Sequence, residues 1–417
     1  MDKKFRKDVS WNVVSFLVVG VSGILLNVLI GRYYGASLLG AFNINFAVYI
    51  FLSQLAVFGI HLSVLKYVSH HEHNDPDLEL IVSSALYLVI TTSLTVTTLS
   101  NFLTPLLGNI FNSELVQKTW VPLSIGLFFF ALNKTLLNIL NGLRLMHFFA
   151  VAQALRYIFA LLITISFILL NVDGSHIGFV ISLSEIFLSI ILLTIVLTTV
   201  SLTSPKKCTA WIVAHLTFGK HSIIGGIMSE LNTRVDVLVL GVMVNDALVG
   251  IYTVALMIFE GFVQIAMILR NNYNPIISKL INNKELTRLA DVIKSGRNKF
   301  YLVMLGLALT SFIVYPFFVK FFIGPEFISS VKLYIILMTG VILSAGYLPF
   351  DMLLSQSGHP KAQSFYKSSV VLGNVLLNFI FIYYFGLVGA AIATCLVFLL
   401  SVILLKALAA KYILIRI

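Results

Sequence analysis

The sequence predicts an all-α integral membrane protein of about twelve transmembrane helices in two six-helix lobes, related by a pseudo-two-fold axis along the membrane normal. Three observations predict it. The 417 residues are 59% hydrophobic and only 11% charged, with a mean hydropathy of +0.99. Soluble domains carry roughly 25% charged residues, and a soluble core of this size cannot hide so much apolar surface. Apolar runs of about 20 residues, the length that crosses hydrocarbon, recur along the whole chain. Finally, a stretch near the start of the chain is echoed in its second half.

The runs fall near 11–31, 41–65, 80–100, 120–140, 148–170, 177–200, 221–243, 250–272, 300–320, 332–354, 365–385 and 387–410. The first follows the basic opening MDKKFRKD and lacks a small-residue cleavage site, so it reads as an uncleaved span. With the N-terminus inside, the inner segments hold twenty of the 28 Lys and Arg. The outer segments hold four (Arg32, Lys118, Lys320 and Lys332), and the last four lie within spans. That bias places both termini in the cytoplasm and accounts for the net charge of +11 without nucleic acid. Trp11, Trp120 and Trp211 fall near span ends, where interfacial anchors sit. The stretch 276–299 spaces Ile277, Leu280, Ile281, Leu289 and Ile293 helically among basic residues, as in a helix lying on the inner leaflet.

At an offset of 210, VLIGRYYGASLLGAF (28–42) aligns with LVLGVMVNDALVGIY (238–252). Both copies sit at the turn after the first span of their half, and Gly142 and Gly358 follow each half's fourth span. Such repeats are a transporter signature. The division expected is an N-terminal lobe at 1–204, a linker at 205–220 and a C-terminal lobe at 221–417.

Charges inside spans cost several kcal/mol or more in hydrocarbon, so they mark protein interiors or wet cavities. The cations are Lys134, Arg156, Arg234 and Arg270; the carboxylates are Glu230, Asp236, Glu260 and Asp351. Glu230 and Arg234 are spaced i, i+4 and share a helix face, while Asp236 points away from Arg234. Rows of Asn, Gln and Ser accompany them, such as Asn374 and Asn378, which follow Lys367 in the eleventh span. A basic interior suits an anion, and Arg matches phosphate by its fork geometry. The carboxylates can hold a coupling proton or sodium ion, or balance the cations. The plainer readings are a structural ion pair and interhelical hydrogen bonds worth about 0.6 kcal/mol each.

No soluble or outer catalytic domain is present, which argues against a membrane polymerase or ligase. GKHS (219–222) lacks the glycine a phosphate-binding loop needs, so no nucleotide or other cofactor is expected. Cys208 and Cys395 lie far apart on no ligand spacing. The loop SHHEHNDPD (69–77) reads as solvated, with no metal site.

The opening SWNVVSFLVVGVSGILLNVLIGRYYGASLLGAFNI resembles one known family, as do RVDVLVLGVMVNDALVGIYTVA, FIGPEF (322–327) and SQSGHPK (355–361). These are the Wzx-type polysaccharide biosynthesis flippases of the multidrug/oligosaccharidyl-lipid/polysaccharide (MOP) exporter superfamily. The resemblance implies a non-enzymatic carrier in the bacterial inner membrane. It implies an undecaprenyl-diphosphate-linked oligosaccharide, the repeat unit of an O-antigen or capsule, moved outward by alternating access. It also implies membrane lipid and the polymerase and chain-length proteins of the same pathway as partners. The family's cationic cavity maps onto Lys134, Arg156 and Arg234. A cation antiporter of the same superfamily is the alternative that the internal carboxylates keep open.

Overall fold

The computed structural model describes residues 3–71 and 75–415. The described chain is helical almost throughout: α1 (Lys3–Val57), α2 (Ile60–Val68), α3 (Pro76–Phe102), α4 (Thr104–Ile110), α5 (Glu114–Gly142), α6 (Met146–Leu169), α7 (Phe179–Thr199), α8 (Thr209–Met243), α9 (Asp246–Asn282), α10 (Leu286–Phe318), α11 (Ser330–Ser344), α12 (Leu353–Gln356) and α13 (Pro360–Tyr412). Among the described residues nine helices are long and apolar enough to cross a membrane. The protein is a multi-pass membrane protein. α1 is broken at Gly35 and α13 at Gly386, whose φ values of 83° and 53° suit glycine. Dividing both there and adding α8, whose internal charges set it apart, gives the twelve span-length segments the sequence predicts.

Two compact units are present, Met1–Leu231 and Asn232–Ile417. The repeated turn has a direct structural counterpart in each. Gly35 turns the chain in the first copy; Asn245, its equivalent at the offset of 210, caps α9 in the second by accepting from the Leu248 amide at 3.0 Å. The second echo is matched only in part: Gly358 turns at φ 81°, whereas Gly142 ends α5 in helical conformation and the turn falls two residues later, at Arg144 with φ 57°.

In the N-terminal unit, α5 runs through a core built with α1, α2, α3 and α7; Leu136, Ile139, Ile81, Leu188 and Val64 are fully buried there. Apolar burial does little to pull helices together in lipid, so close packing and interhelical hydrogen bonds matter more. Asn45 of α1 donates to the Val116 carbonyl and to Thr119 Oγ1 of α5, both at 2.8 Å. Thr92 of α3 donates to the Ala56 carbonyl at 2.6 Å. Trp120 is no interfacial anchor: it is fully buried and its indole donates to the Ser100 carbonyl at 3.1 Å. Its amphipathic ring finds its polar partner on α3 rather than at the water boundary.

The N-terminal turns of α8 dock on this unit through close backbone approach and a buried histidine. His215 bonds Ser63 Oγ at 2.7 Å and the Ile81 carbonyl at 3.2 Å. Gly59, at φ 70°, opens the break between α1 and α2 and meets Gly219. A Cβ at Gly219 would collide with the Phe58 carbonyl.

The C-terminal unit corrects one expectation. The stretch 276–299 is not a helix lying on a leaflet. Its first part closes α9, Lys284 turns at φ 60°, and its second part opens α10. Ile277, Leu280, Leu289 and Ile293 are buried with Phe350, Leu353 and Tyr366. The apolar stripe that looks lipid-bound in sequence has found a protein partner. In the turn, hydrogen bonds from Asn283 and Arg288 hold the Glu285 carboxyl below the usual carboxylate range.

Gly219→Ala should lower the stability of the purified protein by about 1–3 kcal/mol, the cost of overpacking against backbone. Thermal unfolding in detergent reads this, and a midpoint equal to wild type would show that the crossing is not tight.

Candidate functional site

The N-terminal unit places its internal charges around α5. Arg156 of α6 pairs with Glu185 of α7, Nε to Oε1 at 2.7 Å and Nη2 to Oε2 at 3.3 Å. Asn133 of α5 donates to Glu185 Oε2 and to the Glu185 carbonyl, both at 2.8 Å, and accepts from Ser189 Oγ at 2.8 Å. The guanidinium lies 4.8 Å from the centre of the Phe130 ring. Glu185 is about 1% exposed, so this carboxylate is held entirely by protein groups. Arg156, expected as an unpaired cation, is therefore fixed and neutralised. Glu185 was absent from the sequence-derived set. A lone carboxylate in the run 177–200 carries the same signal as the others, and the rule that flagged Asp236 would have found it.

Lys134 follows Asn133 on α5 and so faces roughly 100° away from it. Among the described residues no carboxylate lies within 4.0 Å of its ammonium; Glu230 and Arg156 are the charges that act on it. Its charge reaches the buried His61 of α2, whose Nδ1 has no hydrogen-bond partner among the described residues. Glu230 of α8 accepts from Gln54 at 3.3 Å. Neither His61 nor Gln54 stood out in sequence, because neutral polar residues are common in spans.

The C-terminal unit forms two clusters. Near the start of its first helix, Arg234 pairs with Glu260 of α9 at 3.2 Å. Asp236, with 6% exposure, accepts from the Tyr252 hydroxyl at 2.7 Å and from the Val237 amide at 2.8 Å; Tyr252 also lies 3.4 Å from Thr394 Oγ1. Asn374 donates to the Asn232 carbonyl at 3.0 Å, and Asn378 to Asn374. In the second cluster, Asp351 binds Arg270 at 3.3 Å and Lys367 at 2.7 Å. Arg270 is thus anchored, not merely reaching for the interface. Two cations on one carboxylate leave a net positive charge.

The loop expected to be solvated holds His71, Asp75 and Asp77 with ligand-type atoms within 4.8 Å of one another. His71 Nδ1 lies 2.7 Å from the Tyr67 carbonyl and its Nε2 3.9 Å from Asp75 Oδ2, and Asp75 caps α3 by accepting from the Asp77 amide. Glu72 and His73 lie outside the described residues.

Breaking the Arg156–Glu185 pair is the sharpest test of the N-terminal cluster. Glu185→Ala leaves a half-buried guanidinium uncompensated and should cost about 3 kcal/mol of stability, whereas Glu185→Leu with Arg156→Met should recover most of it. Detergent unfolding midpoints check both; equal losses in the single and double variants would show that packing, not charge, sets the cost.

Residues 5–280 match the family described as Polysaccharide biosynthesis protein. Over 187 residues the chain is 23% identical to the probable low-salt glycan biosynthesis flippase Agl15 of Haloferax volcanii, covering 45% of this chain and 40% of that protein. The match thus spans two-fifths of that relative's length. The lipid II flippase MurJ, in an inward closed conformation, is similar in structure: the TM-score is 0.78 at 18% identity, over 97% of this chain and 87% of that one. An inward-facing multidrug resistance MATE family transporter of the MOP superfamily gives 0.76 at 14% identity over 94% of both chains. A MOP superfamily transporter from Pyrococcus furiosus, described as having a binding pocket of reversed polarity, gives 0.62 at 15% identity over 97% of this chain and 92% of that one. With the fold of MOP-superfamily transporters and a family match over more than half of its 417 residues, the chain belongs to the polysaccharide biosynthesis protein family.

Proposed function

We propose that this protein is a flippase that carries a polyprenyl-diphosphate-linked oligosaccharide, an O-antigen or capsule repeat unit, from the inner to the outer face of the bacterial cytoplasmic membrane. On this reading both termini are cytoplasmic and the cycle is alternating access. The observation that carries it is the set of cations inside spans, above all Arg270, which shares the single carboxylate of Asp351 with Lys367 from the inner end of α13. A site with more cations than carboxylates suits a diphosphate, which cannot cross hydrocarbon alone because each unsatisfied polar group there costs several kcal/mol.

Lys134, Arg156, Arg234 and Arg270 are the residues assigned to the substrate on this reading. The pairing seen in both units gives the assignment a definite form. Arg234 and Arg270 are held by carboxylates and can exchange those partners for phosphate oxygens at small electrostatic cost, while Arg156 is locked by Glu185 and Asn133 and positions its neighbours. Glu230, Asp236, Glu260 and Asp351 then balance charge between substrate loads or take a coupling proton or sodium ion. An inside-negative potential adds about 2.3 kcal/mol per 100 mV for each anionic charge moved outward. The pathway's polymerase and chain-length proteins are the partners this reading implies.

Arg234→Ala should lower surface glycan by about tenfold or more, the worth of one charge-assisted phosphate contact, with the protein still present in the membrane. Lipid-linked repeat units should accumulate on the inner face. Normal surface glycan would remove Arg234 from the substrate path; loss of organic-cation efflux with glycan intact would favour the antiporter reading.

A further inference from the structure

A second group of cations in the C-terminal unit has no part in the proposed transport path. It converges on Tyr347, in the short two-turn helix Ala345–Phe350. Arg297 of α10 donates to the Tyr347 phenol oxygen at 3.1 Å, with its guanidinium 5.7 Å from the ring centre. From α13, the Lys406 ammonium lies over the same ring at 4.8 Å. Among the described residues no carboxylate lies within 4.0 Å of either cation. Asp351, four residues on, is already taken by Arg270 and Lys367.

The arrangement is built rather than incidental. Tyr347 is only 7% exposed, so the platform is rigid. A Cβ at Gly346 would meet the Arg297 stem and the Tyr301 ring, so the missing side chain is what lets Arg297 lie against the backbone. Tyr301 is itself fixed by donating to the Leu343 carbonyl at 2.9 Å. Tyr347 accepts from Arg297, which leaves its own hydroxyl proton to donate. Two cations drawn to one ring repel each other unless an anion sits between them. The sequence places apolar side chains immediately deeper on both helices. Leu305, two turns further along α10 from Arg297, is 43% exposed, and Ile403, one turn before Lys406 on α13, is 64% exposed.

We propose that Arg297, Lys406 and the Tyr347 hydroxyl hold the phosphate of an anionic phospholipid, whose acyl chains lie along the exposed apolar faces of α10 and α13. Basic pockets between spans at the headgroup level are the known chemistry for such lipids. Free phosphate shares the headgroup's chemistry but not the apolar contact, and the test separates the two sources.

The purified full chain is titrated in detergent with phosphatidylglycerol, phosphatidylcholine or inorganic phosphate, and bound lipid is counted by native mass spectrometry. Phosphatidylglycerol should bind in preference, and each neutralised cation in Arg297→Gln with Lys406→Gln should weaken it by about fivefold. The charge-keeping pair Arg297→Lys with Lys406→Arg should retain most binding. On the wild-type protein, a photoactivatable phosphatidylglycerol labelled at its headgroup should cross-link to the peptide carrying residues 345–350, a readout that needs no variant to fold. Undiminished affinity in the neutralised variant, equal binding of phosphatidylcholine, displacement of lipid by inorganic phosphate, or cross-links confined to other segments would each overturn the proposal.

Discussion

An ionised side chain inside hydrocarbon has no water to satisfy it, and this constraint organises the whole molecule. The response differs from helix to helix. Glu185 is closed off completely: Asn133 donates to its carboxylate and to its backbone carbonyl, Arg156 pairs with the carboxylate, and the side chain is out of solvent's reach. Asp351 is shared between two cations. Asp236 carries no direct ion pair among the described residues and is held by a tyrosine hydroxyl and a backbone amide. These are three degrees of commitment. A fully enclosed pair rigidifies its surroundings, whereas a carboxylate with mobile cationic partners can release them.

That gradation separates structural from working charges. Replacing an enclosed ion pair by apolar groups is often nearly neutral for stability, while removing one partner is costly. The N-terminal cluster, stacked against Phe130 and tied to Ser189 through Asn133, has the character of a positioning network. Lys134, whose charge reaches the buried His61 and which has no carboxylate within 4.0 Å among the described residues, has the opposite character. Adjacent residues on α5 thus serve two purposes because a helix turns its neighbours to different faces.

The backbone solves a related problem at its breaks. Each span boundary must end one helix without leaving orphan groups in lipid. The chain uses positive-φ residues at Gly35, Gly59, Gly358 and Gly386, side-chain caps at Ser113 and Asn245, and close glycine crossings where α8 docks. The repeat at an offset of 210 is preserved in these turns while the charges are not. Ile24 and Leu26 stand where Arg234 and Asp236 stand in the second copy. The turn is demanded by the fold in both units; the charges belong to one.

Much of this was legible in the linear sequence. Hydropathy and length gave the spans, because every span must meet the same apolar solvent. Glycine spacing located the turns, since few other residues accept their backbone angles, and charges in apolar runs marked the polar interior. What the sequence could not decide was partnership. The spacing of Glu230 and Arg234 puts both on one helix face, and only the fold shows that Glu260, 26 positions further on, also meets Arg234. Arg156 reads as a bare cation until α7 brings Glu185 against it. The stripe through 277–293 reads as a lipid-facing surface until the C-terminal unit packs against it. Periodicity reports which face of a helix is apolar or charged, but not what covers that face. Only the tertiary structure brings distant helices together, and in a membrane it is those contacts that decide which charges are locked in the frame and which are left for a ligand.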